Sequence, residues 1–289
     1  MIDEVEGKEG RSRSAAPTVL GKFLRRIKSM TTKEITWLPR VPAQAGALLK
    51  DLQNTLPLIL GRNLVGIYLY GSITNSSFNP KRSDIDCIAV TKHRVSEAQF
   101  RKLEVWLAEM TKSNRWTTRL QMSFLPKNQI LVSSEPSNLT CCLYQFGVLR
   151  RCGSDGNPII WLDHLRNGKA LVGPPAKSFL PEITEEILSE ALTLELGYLR
   201  EELKSAKSEW RDVPMYRAYA TLTICRILYT LEKGKVVSKP KAAGWAIENF
   251  DERWRGIIEQ ALHYNLTGQD VQISLVKLRS FLQYAQTRR

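Results

Sequence analysis

"LYGSITNSSFNPKRSDIDCIAV" (Leu69–Val90) places a Gly-Ser pair at the end of one apolar run and an Asp-x-Asp pair at the start of the next. On a strand, alternate residues share a face, so Asp84 and Asp86 project together past Ile85. Two carboxylates held that close repel unless a cation lies between them, and a carboxylate pair facing a polyphosphate is a usual way to hold magnesium. Upstream, Gly71 permits a tight turn and close approach of backbone to a phosphate. Ser72 is expected to open a short helix whose N–H groups and dipole favour anions. Neither piece is specific alone: a bare Asp-x-Asp is also a solvated acidic turn, and Gly-Ser occurs in many ordinary turns. Together, with eleven residues between Ser72 and Asp84, they point to one substrate, a phosphoryl group clamped by one or two metal ions.

Working outward, the chain divides by pattern. Residues 42–59 carry apolar side chains at helical spacing (Ala45, Leu48, Leu49, Leu52, Leu56, Ile59), which predicts an amphipathic helix before the first strand, "LVGIYLY". A second strand is "DIDCIAV" and a third is "RLQMSFL", residues 119–125. Between them "SEAQFRKLEVWLAEMTK" has Ser96 and Gln99 in capping-box spacing and an apolar side made by Phe100, Leu103, Trp106, Leu107 and Met110. Past residue 130, "CGSDGNPIIWLDHLRNGKALVGPPAKSFLP" reads as irregular chain with short strands. Helical periodicity then returns over residues 183–207, 214–232, 241–249, 251–265 and 270–286, the signature of a helical bundle. The expected fold class is α+β: a mixed-sheet α/β domain at residues 35–176, then an α-helical domain at 177–289. Residues 1–34 are expected to be a disordered tail, with Met30 an internal start candidate.

Composition narrows the function classes. The chain has 289 residues, 43% of them apolar, enough for two cores. Five cysteines without CxxC spacing and three scattered histidines, His93, His164 and His263, indicate neither a zinc site nor a disulfide framework. A reducing, cytoplasmic setting and a monomer are expected, and no apolar run is long enough for a membrane helix. Net charge is +13. Residues 1–180 carry 26 Lys and Arg against 14 Asp and Glu, while residues 181–289 carry 16 against 15. The excess sits where a triphosphate would bind; it is compatible with an RNA partner, but basic residues interleaved with aromatics are missing, so nucleic acid is not favoured.

Gly-Ser followed by Asp-x-Asp resembles the common motif of the polymerase-β-like nucleotidyltransferases. Three further stretches, "GKALVGPP", "TLTICRILYTLEKGKVVSKPKAAGWAIE" and "IIEQALHYN", are similar to the C-terminal helical domain of the aminoglycoside 3''-adenylyltransferases, the streptomycin and spectinomycin resistance enzymes. The resemblance implies that ATP and Mg2+ bind the N-terminal domain and that AMP passes to a hydroxyl of an aminoglycoside or aminocyclitol in the interdomain cleft. It implies that Asp84 and Asp86 ligate magnesium, that Ser72, with Gly71 and Ser83, contacts phosphate, and that Lys239 reaches the triphosphate from the helical domain. Arg226, inside an apolar helical pattern, needs a counter-charge or a phosphate, and both stay open.

One position departs from the family. Its third strand carries a glutamate that serves as general base, and here that position is Gln121, whose amide cannot take a proton near neutral pH. No Asp or Glu lies between Glu109 and Glu135, so a shifted alignment supplies no base. Three alternatives stand: a nucleotide-binding homologue without full activity, an enzyme whose base comes from elsewhere, or a deliberately replaced glutamate. Transfer to RNA or protein is a further alternative. Trp210 and Asp212 are candidates to stack on and pair with a cationic sugar, against an ordinary loop tryptophan with a capping aspartate. The acidic run from Glu182 to Glu209, eight Glu against three Lys or Arg, reads as a solvated helix face. Tyr264 reads as core, less readily as a residue beside the nucleotide.

Overall fold

A computed structural model describes residues 41–75, 77–131, 139–153, 157–205 and 207–288; the expected tail at 1–34 lies outside them. The first helix, α1 (Ala43–Leu60), leads into β1 (Leu64–Tyr70), and β2 (Ile85–Thr91) returns antiparallel to it. Helix α2 (Glu97–Ser113) then crosses over, so that β3 (Leu120–Pro126) runs parallel to β2. A long crossover is what a parallel pair requires. The Ser96–Gln99 capping box is formed as expected. Strands β4 (Cys141–Gln145), β5 (Val148–Cys152) and β6 (Lys169–Val172) complete a six-stranded mixed sheet in the order β5-β4-β3-β2-β1-β6.

Strand alternation sorts the two sheet faces. Ile67, Leu69, Cys87, Ala89, Met122 and Phe124 pack with Leu48, Leu52, Leu103 and Trp106 of α1 and α2. Tyr68, Ile88, Val90 and Leu125 face the other way and pack against Trp161 and Phe179. Each such side chain taken out of water stabilises the domain by roughly 1.5–3 kcal/mol. Asp84, Asp86 and Gln121 share the period-two parity of Ile88, Val90 and Leu125, so they belong to the second face.

That second face is covered by α3 (Pro158–Asn167), where an irregular chain was expected. Asn157 and Pro158 resemble a turn in sequence, but Asn157 Oδ1 accepts the Ile159 N–H as an N-cap, and proline's fixed φ suits the first helical turn. Trp161 is fully buried beneath the sheet, and His164 Nδ1 bonds Leu69 O at 3.2 Å. Helix α3 thus reaches the end of β1, where its Asp163 acts electrostatically on Asp86.

The helical part comprises α4 (Glu185–Lys204), α5 (Pro214–Lys233), α6 (Lys239–Asn249), α7 (Glu252–Thr267) and α8 (Leu275–Gln286). Their apolar faces make a separate core around Leu199, Ile224, Cys225, Ile258 and Phe281. Gly234 and Gly268, with φ of 59° and 77°, close α5 and α7 in the left-handed conformation that glycine tolerates. Among the described residues no helix is long and apolar enough to cross a membrane.

Candidate active site

Tyr70, Asp86 and Gln121 lie side by side across β1, β2 and β3. The chain turns at Gly71, whose φ is +69°, and a Cβ there would lie 2.5 Å from Asp86 Oδ2. Only glycine lets the backbone cross so close to that carboxylate. The expected helix at Ser72 is a single 3-10 turn, Gly71–Thr74, tied by Thr74 Oγ1 and Asn75 Nδ2 donating to Gly71 O at 2.8 and 2.9 Å. Four residues align too few peptide dipoles for a substantial helix field, which corrects the dipole expectation. What the turn offers is its placement beside Asp86.

Asp84 is held from the β3 side. Gln121 Nε2 donates to its Oδ2 at 3.1 Å, and Arg119 Nε lies 4.0 Å from its Oδ1. Arg119 also donates to Pro80 O at 2.8 Å and to Ser83 O, while its guanidinium lies 4.1 Å from the Trp116 ring centroid. It therefore clamps the loop that delivers the carboxylates. Ser83 Oγ serves the same loop by accepting the Asn79 N–H at 2.9 Å. Burial raises the Asp84 pKa, with Arg119, the Gln121 hydrogen bond and Lys239 opposing it. Burial and the Asp84 charge push Asp86 up to about 7.

The helical domain answers with cations. Lys239, the first residue of α6, has its Nζ 4.3 Å from the Tyr219 ring centroid. Burial and Arg226 pull its pKa down to about 8, against the opposing pull of Asp86 and Asp84. Arg226, midway along α5, is half-buried, and its Nε has no hydrogen-bond partner among the described residues. Arg226 and Lys239 both act electrostatically on Asp86, so the two domains bring the four charges to one cleft. A second bridge is Arg82, whose guanidinium lies 4.9 Å from the Tyr264 ring centroid and against Gly268 of α7's end.

Beside Lys239 stands an aromatic wall. Trp210 stacks on Tyr216 at 5.2 Å and meets Tyr198 and Tyr219 edge-on at 5.7 and 5.5 Å. Tyr198 and Tyr219 keep 50% and 39% of their surface exposed, so the wall is open to an occupant. Asp212 is exposed at the end of the short turn that carries Trp210, its N–H donating to Glu209 O at 3.1 Å. Glu195 is half-buried and acts electrostatically on both Tyr198 and Tyr219, unlike the solvated face expected for the acidic run. Tyr264 is half-buried and packs against the helical core.

Sequence reasoning missed Arg119, Tyr219, Glu195 and Arg82. Arg119 had a local signal, two residues before Gln121, but its meaning depends on the parallel register that brings Leu120 beside Ile85. Arg82 meets Tyr264 across the two parts, and Tyr219 and Glu195 act through residues of neighbouring helices, so none of the three leaves a mark in local periodicity. Among the described residues no group of three or more His, Cys, Asp or Glu is placed to hold a metal ion. Two carboxylates plus oxygens of a phosphate ligand are the donor set on offer.

A mixed sheet that presents a Gly-Ser turn against a carboxylate pair, faced by the cations of a helical bundle, defines a two-part nucleotidyltransferase fold. It matches the solved spectinomycin adenyltransferase AAD(9) from Enterococcus faecialis, with ATP and spectinomycin, at a TM-score of 0.63 and 17% identity, covering 86% of this chain and 99% of that one. Residues 178–288 match the family model for the aminoglycoside adenylyltransferase C-terminal domain. A spectinomycin 9-adenylyltransferase of Campylobacter jejuni is 26% identical over 216 residues, 70% of this chain and 78% of that one. An aminoglycoside (3'') (9) adenylyltransferase of Shigella flexneri is 25% identical over 256 residues, 84% and 94% of the two chains. Its C-terminal part, residues 178–288, thus carries the aminoglycoside adenylyltransferase C-terminal domain, and along most of its length the chain is similar to aminoglycoside adenylyltransferases.

Proposed function

We propose that this protein transfers AMP from ATP to a hydroxyl of an aminoglycoside or aminocyclitol of the streptomycin and spectinomycin type. The observation that carries it is the meeting of Asp84 and Asp86 from the sheet with Lys239 and Arg226 from the bundle. Relatives named for this chemistry, along most of their length, support the choice of acceptor.

The residues fit a metal-bound triphosphate. Asp86 is pushed up by burial and by Asp84, so a divalent cation between them would restore both carboxylates to the charged form. Arg226 Nε is buried with no hydrogen-bond partner among the described residues, and Lys239 is pulled down by burial and by Arg226, so an anion would satisfy both. Asp84 and Asp86 would hold Mg2+, which when bound supplies charge neutralisation at the phosphate oxygens. Lys239 and Arg226 bind the triphosphate, and the Gly71–Ser72 turn lets backbone approach it. Arg119 and Gln121 hold Asp84 in orientation. Trp210 and Asp212 belong to the acceptor side, and the enzyme works as a cytoplasmic monomer.

Incubation with ATP, Mg2+ and each drug, read by mass spectrometry, should add one AMP to the drug and release pyrophosphate. Unmodified streptomycin and spectinomycin after prolonged incubation would count against this function. A second reading, nucleotide binding without transfer, is favoured by one observation: the third-strand side chain is an amide donating to Asp84. Calorimetric ATP-magnesium binding without product would select it.

A further inference from the structure

The Asp-x-Asp motif alone fits one or two metal ions, and the contacts made by β3 bear on the number. Gln121 is the register partner of Asp86 across the parallel β2–β3 ladder, one strand spacing of about 4.8 Å away. Its side chain reaches diagonally to the other acid, where Nε2 donates to Asp84 Oδ2 at 3.1 Å. The amide therefore stands beside both carboxylates.

An ionised carboxylate offers a metal its oxygen lone pairs, and each hydrogen bond it accepts occupies one of them. On Asp84, Oδ2 is engaged by Gln121, and Oδ1 lies 4.0 Å from Arg119 Nε. Arg119 is itself held in place, donating to Pro80 O at 2.8 Å and to Ser83 O with its guanidinium against the Trp116 ring. From the β3 side the acidic pair thus meets an amide N–H and a fixed guanidinium, both presenting positive charge. A second divalent cation approaching on that side would be repelled.

No further acid compensates for this. Asp163 acts on Asp86 from α3, but its Oδ1 accepts Asn167 Nδ2 at 3.0 Å, and among the described residues no three of His, Cys, Asp and Glu converge on a possible metal position. Divalent ions in paired sites lie roughly 3.5–4 Å apart and repel each other strongly. Two carboxylates, one of them already engaged, balance the charge of a single such ion.

We propose that this protein binds its nucleotide with a single divalent cation, held between Asp84 and Asp86, and that Gln121 sets this number. Arg119 supplies the fixed positive charge on the side where a second ion would lie. This inference rests on the metal-bound triphosphate site of the proposed function and specifies its metal content. A glutamate at position 121 would remove the amide donor and add a third acid beside Asp84 and Asp86, which opens a second position.

The test counts ions without requiring turnover. The full chain is saturated with an ATP analogue whose α- and β-phosphorus atoms are joined by a methylene group, so that the bond cannot be split by transfer. Bound Mn2+ is then measured by electron paramagnetic resonance for wild type, Gln121→Glu and Gln121→Asp, with the melting temperature recorded for each. Wild type should hold about one Mn2+ per chain and Gln121→Glu about two, the latter with the spin-coupled spectrum of ions roughly 3.5–4 Å apart. Gln121→Asp places a shorter acid at the same point and should also gain an ion, so loss of folding in one variant leaves the other to decide. Two ions in wild type, or one in a folded acidic variant, would overturn the proposal. Wild type that holds one ion with the analogue yet adenylylates neither drug would overturn AMP transfer and leave the metal count standing. Absence of any Mn2+–analogue binding by wild type would overturn both.

Discussion

Gly71 lies against the carboxylate of Asp86, so close that a single added carbon would stand 2.5 Å from Oδ2. The turn and the acid are thus one unit. Gly71→Ala adds left-handed strain of roughly 1–2 kcal/mol and forces Asp86 aside. The expected result is a lower melting temperature together with loss of calorimetric ATP-magnesium binding; a variant that binds ATP normally would contradict the contact.

Asp86 carries a charge that the ligand-free protein resists, its pKa pushed up to about 7 by burial and by Asp84. Replacing it with Asn removes the repulsion while keeping the shape. Asp86→Asn should keep or raise stability in urea denaturation at pH 8, yet reduce AMP transfer about 100-fold or more, the trade expected at a functional site. A variant that is both destabilised and active would refute this.

Arg226 Nε is a buried donor with no hydrogen-bond partner among the described residues, an arrangement that costs the free protein stability. Arg226→Met should therefore leave the melting temperature unchanged or higher, and should weaken ATP binding at least about 10-fold, given that hydrogen bonds to charged groups contribute roughly 1.5–3 kcal/mol. Isothermal titration of ATP against both proteins checks it; equal affinities would remove Arg226 from the triphosphate site.

Arg82 and Gly268 are coupled across the domains. Gly268→Ala should be destabilising beyond the roughly 1–2 kcal/mol of its backbone strain, because the new methyl meets the Arg82 guanidinium. Adding Arg82→Ala should relieve the excess, giving a coupling energy in a double-mutant cycle. Strict additivity would mean that the two residues do not touch in solution.

His164 is buried against Leu69 O, with Tyr68, Trp161 and Asp163 around it. Burial holds its pKa below the ordinary 6.5, although the Leu69 hydrogen bond and Asp163 oppose the shift. The unfolded chain accordingly binds a proton in a range where the folded chain does not. This contribution to stability is complete above about pH 6.5 and is lost as pH falls below that value toward the folded pKa. Urea denaturation at pH 8 and pH 5 should show a larger loss for wild type than for His164→Asn; identical losses would exclude His164 as the cause.

Much of the candidate site could be proposed from the chain because its signals are local. Asp84 and Asp86 two residues apart on a strand need one face, and Ser96 with Gln99 announces a helix start. Arg226 was recognisable as a charge among apolar neighbours. Other signals misled for physical reasons. Asn157-Pro158 suits a turn and a helix start equally, and burial of Trp161 under the sheet selected the helix. Helix α6 begins at Lys239, two residues earlier than expected, because Pro240 occupies its first turn where no N–H is required. Helix α8 begins at Leu275, later than residue 270, where Ser274 caps it through the Lys277 N–H.

Period, capping chemistry and the need of close carboxylates for a cation are properties of a few consecutive residues, so the strands, the bundle and the acidic pair could be read from the letters alone. Which partners those residues acquire is a different matter. The Gln121 amide on Asp84, Arg119 over the loop, and Lys239 opposite Asp86 depend on a parallel register and on how two separate cores dock. Residues more than a hundred positions apart, such as Asp86 and Lys239, influence one another only after folding has brought them together and burial has removed the water between them, because solvent screens exposed charges more than about 10 Å apart.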